Sequence, residues 1–343
     1  MSLHNIWFVI LAIFWTGYFV LEGFDFGVGI LHTVVGKTDD ERRAVLGTVG
    51  PFWDGNEVWL IVAGAGTFAA FPAWYATMFS SLYLALLLVL VALIGRGVAF
   101  EYRSRVSSER WRRVWTWAMT LGSAAIPLLL GVGLGDLLTG LPINQQQNYT
   151  GSFWNLLTGY GLWTGLTLLA LSVLHGAAFL VLKTTGEVQE RARRVARPVG
   201  AVAVVAVLVF VTWTQALGRG VFPGPMQITA VLAVIAAAWT MATGHEGWAF
   251  FSSTVAMGFT VASIFVNLFP NVMVSSTSAA YNLTVTNAAA GSYSLKVMTV
   301  VAVIFFPLVL VYQAWSYHVF RVRLQRPAAR TTPAVTADPG TPG

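Results

Sequence analysis

Long apolar runs alternate with short polar stretches along almost the whole of this 343-residue chain. Runs of this kind predict membrane helices at 6–35, 52–73, 76–102, 114–137, 157–182, 196–217, 226–243, 248–268 and 296–320. Each is long enough to place about 20 residues across the hydrocarbon, the seventh only just. The second and third are separated by Phe71-Pro72-Ala73-Trp74-Tyr75, where a proline and the combined length argue for a hairpin rather than one span. The first run carries Glu22 and Asp25 inside it and is too long for a signal-peptide core, so it is expected to remain as the first membrane helix.

Composition strengthens this picture. Hydrophobic residues make up 56% of the chain and charged residues only 10%, against about 25% charged in soluble domains. Such a chain cannot cover a water-facing surface, so an all-α integral membrane protein is expected. The 14 Trp and 22 Phe suit interfacial belts and lipid-facing surface. Cysteine is absent, which excludes disulfides, thiolate metal sites and c-type haem attachment. The net charge of +6 does not point to nucleic acid, because the basic residues sit in short loops, where they set topology.

All 20 basic residues except Arg96, Arg219 and Lys296 follow the first, third, fifth and ninth runs. Nine helices with an extracytoplasmic N-terminus and a cytoplasmic C-terminus put every one of those groups in the cytoplasm. The long connections at 138–156 and 269–295 then both lie outside. The membrane domain is expected over 1–323, followed by a disordered cytoplasmic tail, rich in Pro, Ala, Thr and Gly, over 324–343.

Ionisable groups inside the membrane are rare and usually paired or functional. Glu22 and Asp25 are three residues apart on the first helix and share a face, as do Asp54 and Glu57 at the start of the second. The topology puts both pairs in the cytoplasmic half, with Arg96, Glu101 and His175. The functional reading is a proton path opening to the cytoplasm, with Glu22, Asp25, Asp54 and Glu57 as its candidates. The structural reading makes Arg96 the ion-pair partner of Glu22 or Asp25, with Glu101 and His175 as further ion-pair or hydrogen-bond candidates. Asp54 also suits a helix N-terminus just after Pro51 on dipole grounds alone. Of five histidines only His175 is clearly intramembrane, so no facing pair for a bis-histidine haem is expected, and no metal site.

Several stretches carry a resemblance. Leu21-Glu22-Gly23-Phe24-Asp25-Phe26-Gly27-Val28-Gly29, Gly50-Pro51-Phe52-Trp53-Asp54-Gly55-Asn56-Glu57-Val58-Trp59-Leu60, Arg96-Gly97-Val98-Ala99-Phe100-Glu101-Tyr102-Arg103 and His175-Gly176-Ala177 occur in this order. With them the chain resembles subunit II of the cytochrome bd quinol oxidases over all nine helices. The resemblance implies a heterodimeric terminal oxidase that oxidises quinol at the outer face and reduces oxygen to water with protons from the cytoplasm. It implies that the quinol site and haems b and d belong to the partner, subunit I. This chain would be a haem-free scaffold of two four-helix bundles plus one peripheral helix. Some members hold a structural quinone or gain a small single-helix subunit, and some carry Gln where this chain has Glu57. Two other readings are a proton-coupled secondary transporter and a purely structural assembly subunit. The missing inverted repeat argues against the transporter.

Overall fold

Local chemistry marks where the helices begin. In the computed structural model, which describes residues 2–218 and 224–323, the first helix α1 (Leu3–Val35) starts where the Ser2 hydroxyl accepts from the Asn5 amide. A short surface helix, α2 (Asp39–Gly47), follows through a capping box. Thr38 Oγ1 accepts from the Glu41 amide at 3.2 Å and Glu41 Oε2 accepts from the Thr38 amide at 3.4 Å. Three acids in its first turn complement the helix dipole.

The remaining helices are α3 (Trp53–Ala70), α4 (Pro72–Ser81), α5 (Tyr83–Tyr102), α6 (Glu109–Thr139), α7 (Gly159–Lys183), α8 (Gly186–Ala216), α9 (Pro225–Thr243), α10 (Glu246–Leu268) and α11 (Ser292–Val319). Eight of them, α1 and α5 to α11, are long and apolar enough to cross a membrane. The run expected at 52–73 appears as α3, which falls short of that measure because Asp54, Asn56 and Glu57 crowd its first turns.

Two boundaries differ from the sequence reading. The helix expected over 76–102 is broken at Leu82 into α4 and α5. The Ser80 and Ser81 hydroxyls bond back to the carbonyls of Thr77 and Met78 at 3.1 and 3.0 Å, a local competitor that bends helices. The helix expected from 196 begins at Gly186 instead. Its added turns carry Glu187, Glu190, Arg191, Arg193 and Arg194, which suit a solvated helix but do not register in an apolar pattern.

The helix α1 lies at the centre and packs against α3, α6, α7 and α10. It crosses α7 at Gly27 and Gly176, whose backbones meet so closely that a methyl group on either would strike the other helix. In contrast, α11 lies on the edge, and Leu295 is its one buried residue among those described.

Each end of the assembly has its own character. At one end the two longest connections interlock: Leu141 donates to Val274 O at 3.0 Å, and Ser275 Oγ and Thr277 Oγ1 both donate to Ile143 O. A two-stranded antiparallel ladder, β1 (Asn271–Met273) with β2 (Leu283–Thr284), stiffens this cap. The basic loops meet at the opposite end. There Arg191 binds Glu41 at 2.8 Å, Arg103 binds Asp39 at 2.6 Å, and Glu246 joins Arg193 at 2.8 Å to Arg323 at 2.5 Å. The hydrogen bond from Arg191 holds the Glu41 carboxyl below the usual carboxylate range. Burial pushes Asp39 up, but the bond and charge of Arg103 outweigh it and its carboxyl is also lowered. The expected tail over 324–343, and Arg219, lie outside the described residues.

Candidate functional site

The acids of α1 and α3 face one another across a polar cluster inside the bundle. Glu22 and Asp25 are both fully buried, one helical turn apart on α1. Their partners come from different helices. Glu22 is in direct contact with the guanidinium of Arg96, which α5 delivers fully buried. Arg96 Nη1 also lies 3.4 Å from Glu57 Oε2 of α3. The guanidinium is flanked by the rings of Phe26 at 5.0 Å and Phe100 at 5.3 Å, a cation–π setting that supports a buried positive charge.

Asp25 is held by an amide rather than by the arginine. Asn56 Nδ2 donates to Asp25 Oδ2 at 2.8 Å and to the Leu21 carbonyl at 3.0 Å. Asn56 Oδ1 in turn accepts from Gln313 Nε2 at 2.9 Å and from the Tyr317 hydroxyl at 3.1 Å, both on α11. A continuous chain of polar groups therefore runs from α11 through α3 to α1. Asp25 Oδ1 and the Tyr18 hydroxyl, one and two turns along α1, have no hydrogen-bond partner among the described residues.

The other sequence candidates are placed apart from this cluster. Asp54 is exposed in the first turn of α3, one turn before Glu57. Glu101 is exposed at the end of α5, 3.8 Å from Arg105 in the turn that follows, so it is a surface pair and not a partner inside the bundle. His175 is fully buried, stacked on Phe250 at 4.8 Å, with Nδ1 2.8 Å from Ser253 Oγ and Nε2 3.2 Å from the Val20 carbonyl. Both ring nitrogens are thus engaged by protein.

Sequence reasoning missed Asn56, Gln313 and Tyr317. The signal was there in part: Gln313 and Tyr317 are polar residues four apart in an otherwise apolar run. Asp136, which the sequence reading places near a helix end, is fully buried near the other end of the molecule and accepts from Thr158 at 2.6 Å.

Chemically, two carboxyls, Glu22 and Glu57, share one guanidinium, and a third, Asp25, is held by an amide beside them. Their full ionisation would leave negative charge uncompensated in a medium where this costs several kcal/mol. The fold and the cluster together define a polytopic helical membrane protein with a buried ionisable network between its helices. The family model for cytochrome bd terminal oxidase subunit II matches residues 3–320. The chain is 42% identical to cytochrome bd ubiquinol oxidase subunit 2 of Bacillus subtilis, over 94% of this chain and 97% of that protein. It is 34% identical to cytochrome bd-I ubiquinol oxidase subunit 2 of Escherichia coli K12, over 92% of this chain and 93% of that protein. A chain of the bd oxidase structure from Geobacillus thermodenitrificans has the same fold, with a TM-score of 0.76 at 18% identity, over 93% of this chain and 99% of the other. The chain belongs to the cytochrome bd terminal oxidase subunit II family and is a membrane subunit of a quinol:oxygen oxidoreductase. That membership sets aside the transporter reading.

Proposed function

We propose that this chain supports a haem-bearing subunit I and carries protons towards it from the cytoplasm, through Glu22, Asp25 and Glu57, with Asp54 as the entry. The observation that carries this reading is the joined network around Asp25 and Arg96. It holds more carboxyls than cations, is linked by Asn56 to two polar side chains of α11, and lies one turn inside an exposed acid. Oxygen reduction consumes protons, and a chain of carboxyl, amide and hydroxyl groups is what a proton relay through a membrane requires.

Other parts of the reading follow from the same geometry. With α3 counted as a span, since 18 residues rise about 27 Å, there are nine. The N-terminus is then extracytoplasmic and the basic end cytoplasmic. Haems b and d belong to subunit I. The edge helix α11, apolar and almost wholly uncovered, suits docking of that subunit. Reporter fusions at Arg105, Gln189 and Arg326 should all read cytoplasmic, and an extracytoplasmic reading at any of them overturns the orientation.

The contact between Arg96 and Glu22 favours a second reading for Glu22 alone, as a structural ion pair. Asp25→Asn tests the proton role at an acid outside that ion pair. Asparagine keeps the size and can still accept from Asn56, but it cannot titrate. Oxygen consumption per haem d should fall about a hundredfold or more, from the low end of the range for a lost proton-transfer group, with haem content intact. Asp54→Asn should fall less, because water reaches that position. Normal turnover per haem in Asp25→Asn rejects the proton role.

A further inference from the structure

The basic end holds a cavity of about 440 Å³ between α1, α2, the end of α5 and the first turns of α6. Four arginines line it, Arg42, Arg103, Arg112 and Arg113, against two acids, Asp39 and Glu109, which leaves a formal charge of +2 on its walls. Arg103 is the buried member, 2% exposed. Its Nη2 donates to Asp39 at 2.6 Å and its Nε to Thr116 Oγ1 at 2.9 Å. Its Nη1 has no partner among the described residues. A buried guanidinium with one free donor is an incomplete fork, and guanidinium forks are completed by carboxylates and phosphates. Neither cavity acid completes it: Asp39 is bound to Nη2 and to Arg43, and Glu109 sits exposed at the start of α6 with no ion pair to Arg103 among the described residues.

Further along α6 the lining changes character. Trp117 lines the cavity and is exposed over more than half its surface. Val114 lies three residues before it on α6 and Leu121 four residues after it, and both are similarly exposed. These three form one apolar stripe running from the cavity along the helix. The pocket is thus cationic at its base and continuous with an apolar face at its mouth.

We propose that this cavity binds the phosphate of an anionic phospholipid, Arg103 Nη1 completing its fork on the phosphate, Arg112 and Arg113 supplying charge, and the acyl chains lying along Val114, Trp117 and Leu121. Basic pockets between membrane helices take such headgroups by charge and depth together. A soluble phosphate would use the arginines but leave the stripe idle. The inference does not rest on the proton reading, since none of these residues touches the cluster around Asp25.

The test uses the intact oxidase complex, delipidated in neutral detergent and titrated with phosphatidylglycerol, phosphatidylcholine or sodium phosphate, with bound lipid counted by native mass spectrometry. The wild-type complex should take up phosphatidylglycerol and not phosphatidylcholine. Arg112→Gln with Arg113→Gln should weaken that uptake about 30-fold, at roughly fivefold per arginine. Arg103→Lys, which keeps the charge but loses the fork, should weaken it too, with full haem content in both variants. Undiminished phosphatidylglycerol binding in the variants overturns the proposal. So does equal uptake of phosphatidylcholine, or displacement of the lipid by sodium phosphate at matching concentration, which would make this a free-anion site.

Discussion

Arg96→Met is expected to prevent accumulation of assembled oxidase, and Arg96→Met combined with Glu22→Leu to restore much of it. Arg96 has no exposure to solvent, and neither has Glu22. Removing the cation strands a carboxylate in the bundle, and breaking a buried pair in this way costs about 3–5 kcal/mol. Domains are stable by only about 5–15 kcal/mol in total, so the loss is large. Replacing both partners by apolar side chains of similar volume is often neutral or stabilising. Phe26 and Phe100 already offer an apolar surround for a methionine. The readouts are subunit II in membranes by immunoblot and haem d by spectrum. Normal accumulation of Arg96→Met would show that the pair is not structural. Failure of the double variant would show that Glu57 also depends on the arginine.

Gly176→Leu is expected to be nearly as damaging, for a different reason. At the α1–α7 crossing, a side chain on Gly176 runs into the Gly27 backbone, and a side chain on Gly27 runs into the Ser172 carbonyl and Gly176. Backbone cannot step aside as a rotamer can, so the helices must separate. Overpacking costs about 1–3 kcal/mol where side chains absorb it, and more where they cannot. Separation would also shift Asp25 and Glu22, which lie within two turns of Gly27 on α1. Gly176→Ala should show a milder form of the same loss. Gly247→Ala should be silent, because nothing lies within 4 Å of the added methyl group. The thermal midpoint of the purified complex gives the ranking, and a Gly176→Leu complex as stable as wild type would refute the close-crossing argument.

Much of this molecule is already written in its sequence. Apolar runs set the approximate limits of most of the long helices, because burial in lipid acts on each segment locally. The same local logic singled out Glu22, Asp25, Asp54, Glu57 and Arg96, since a charge in an apolar run stands out wherever the run is placed.

Tertiary structure decided the pairings. Spacing shows that Glu22 and Asp25 share a face of α1, but not which neighbour that face meets. Only the rotation and crossing of the helices give Glu22 to Arg96 and Asp25 to Asn56, and bring Gln313 and Tyr317 across more than 250 residues of chain to the same amide. The break at Leu82 and the early start of α8 escaped for another reason. Serine hydroxyls bonding back to their own helix, and charged turns stabilised by solvent, leave an apolar pattern unchanged. Asp54 and Glu101 show the same division. Both are acids at the edge of apolar runs, and only the packing of α3 and α5 leaves them exposed on this chain while Glu22 and Asp25 are sealed inside.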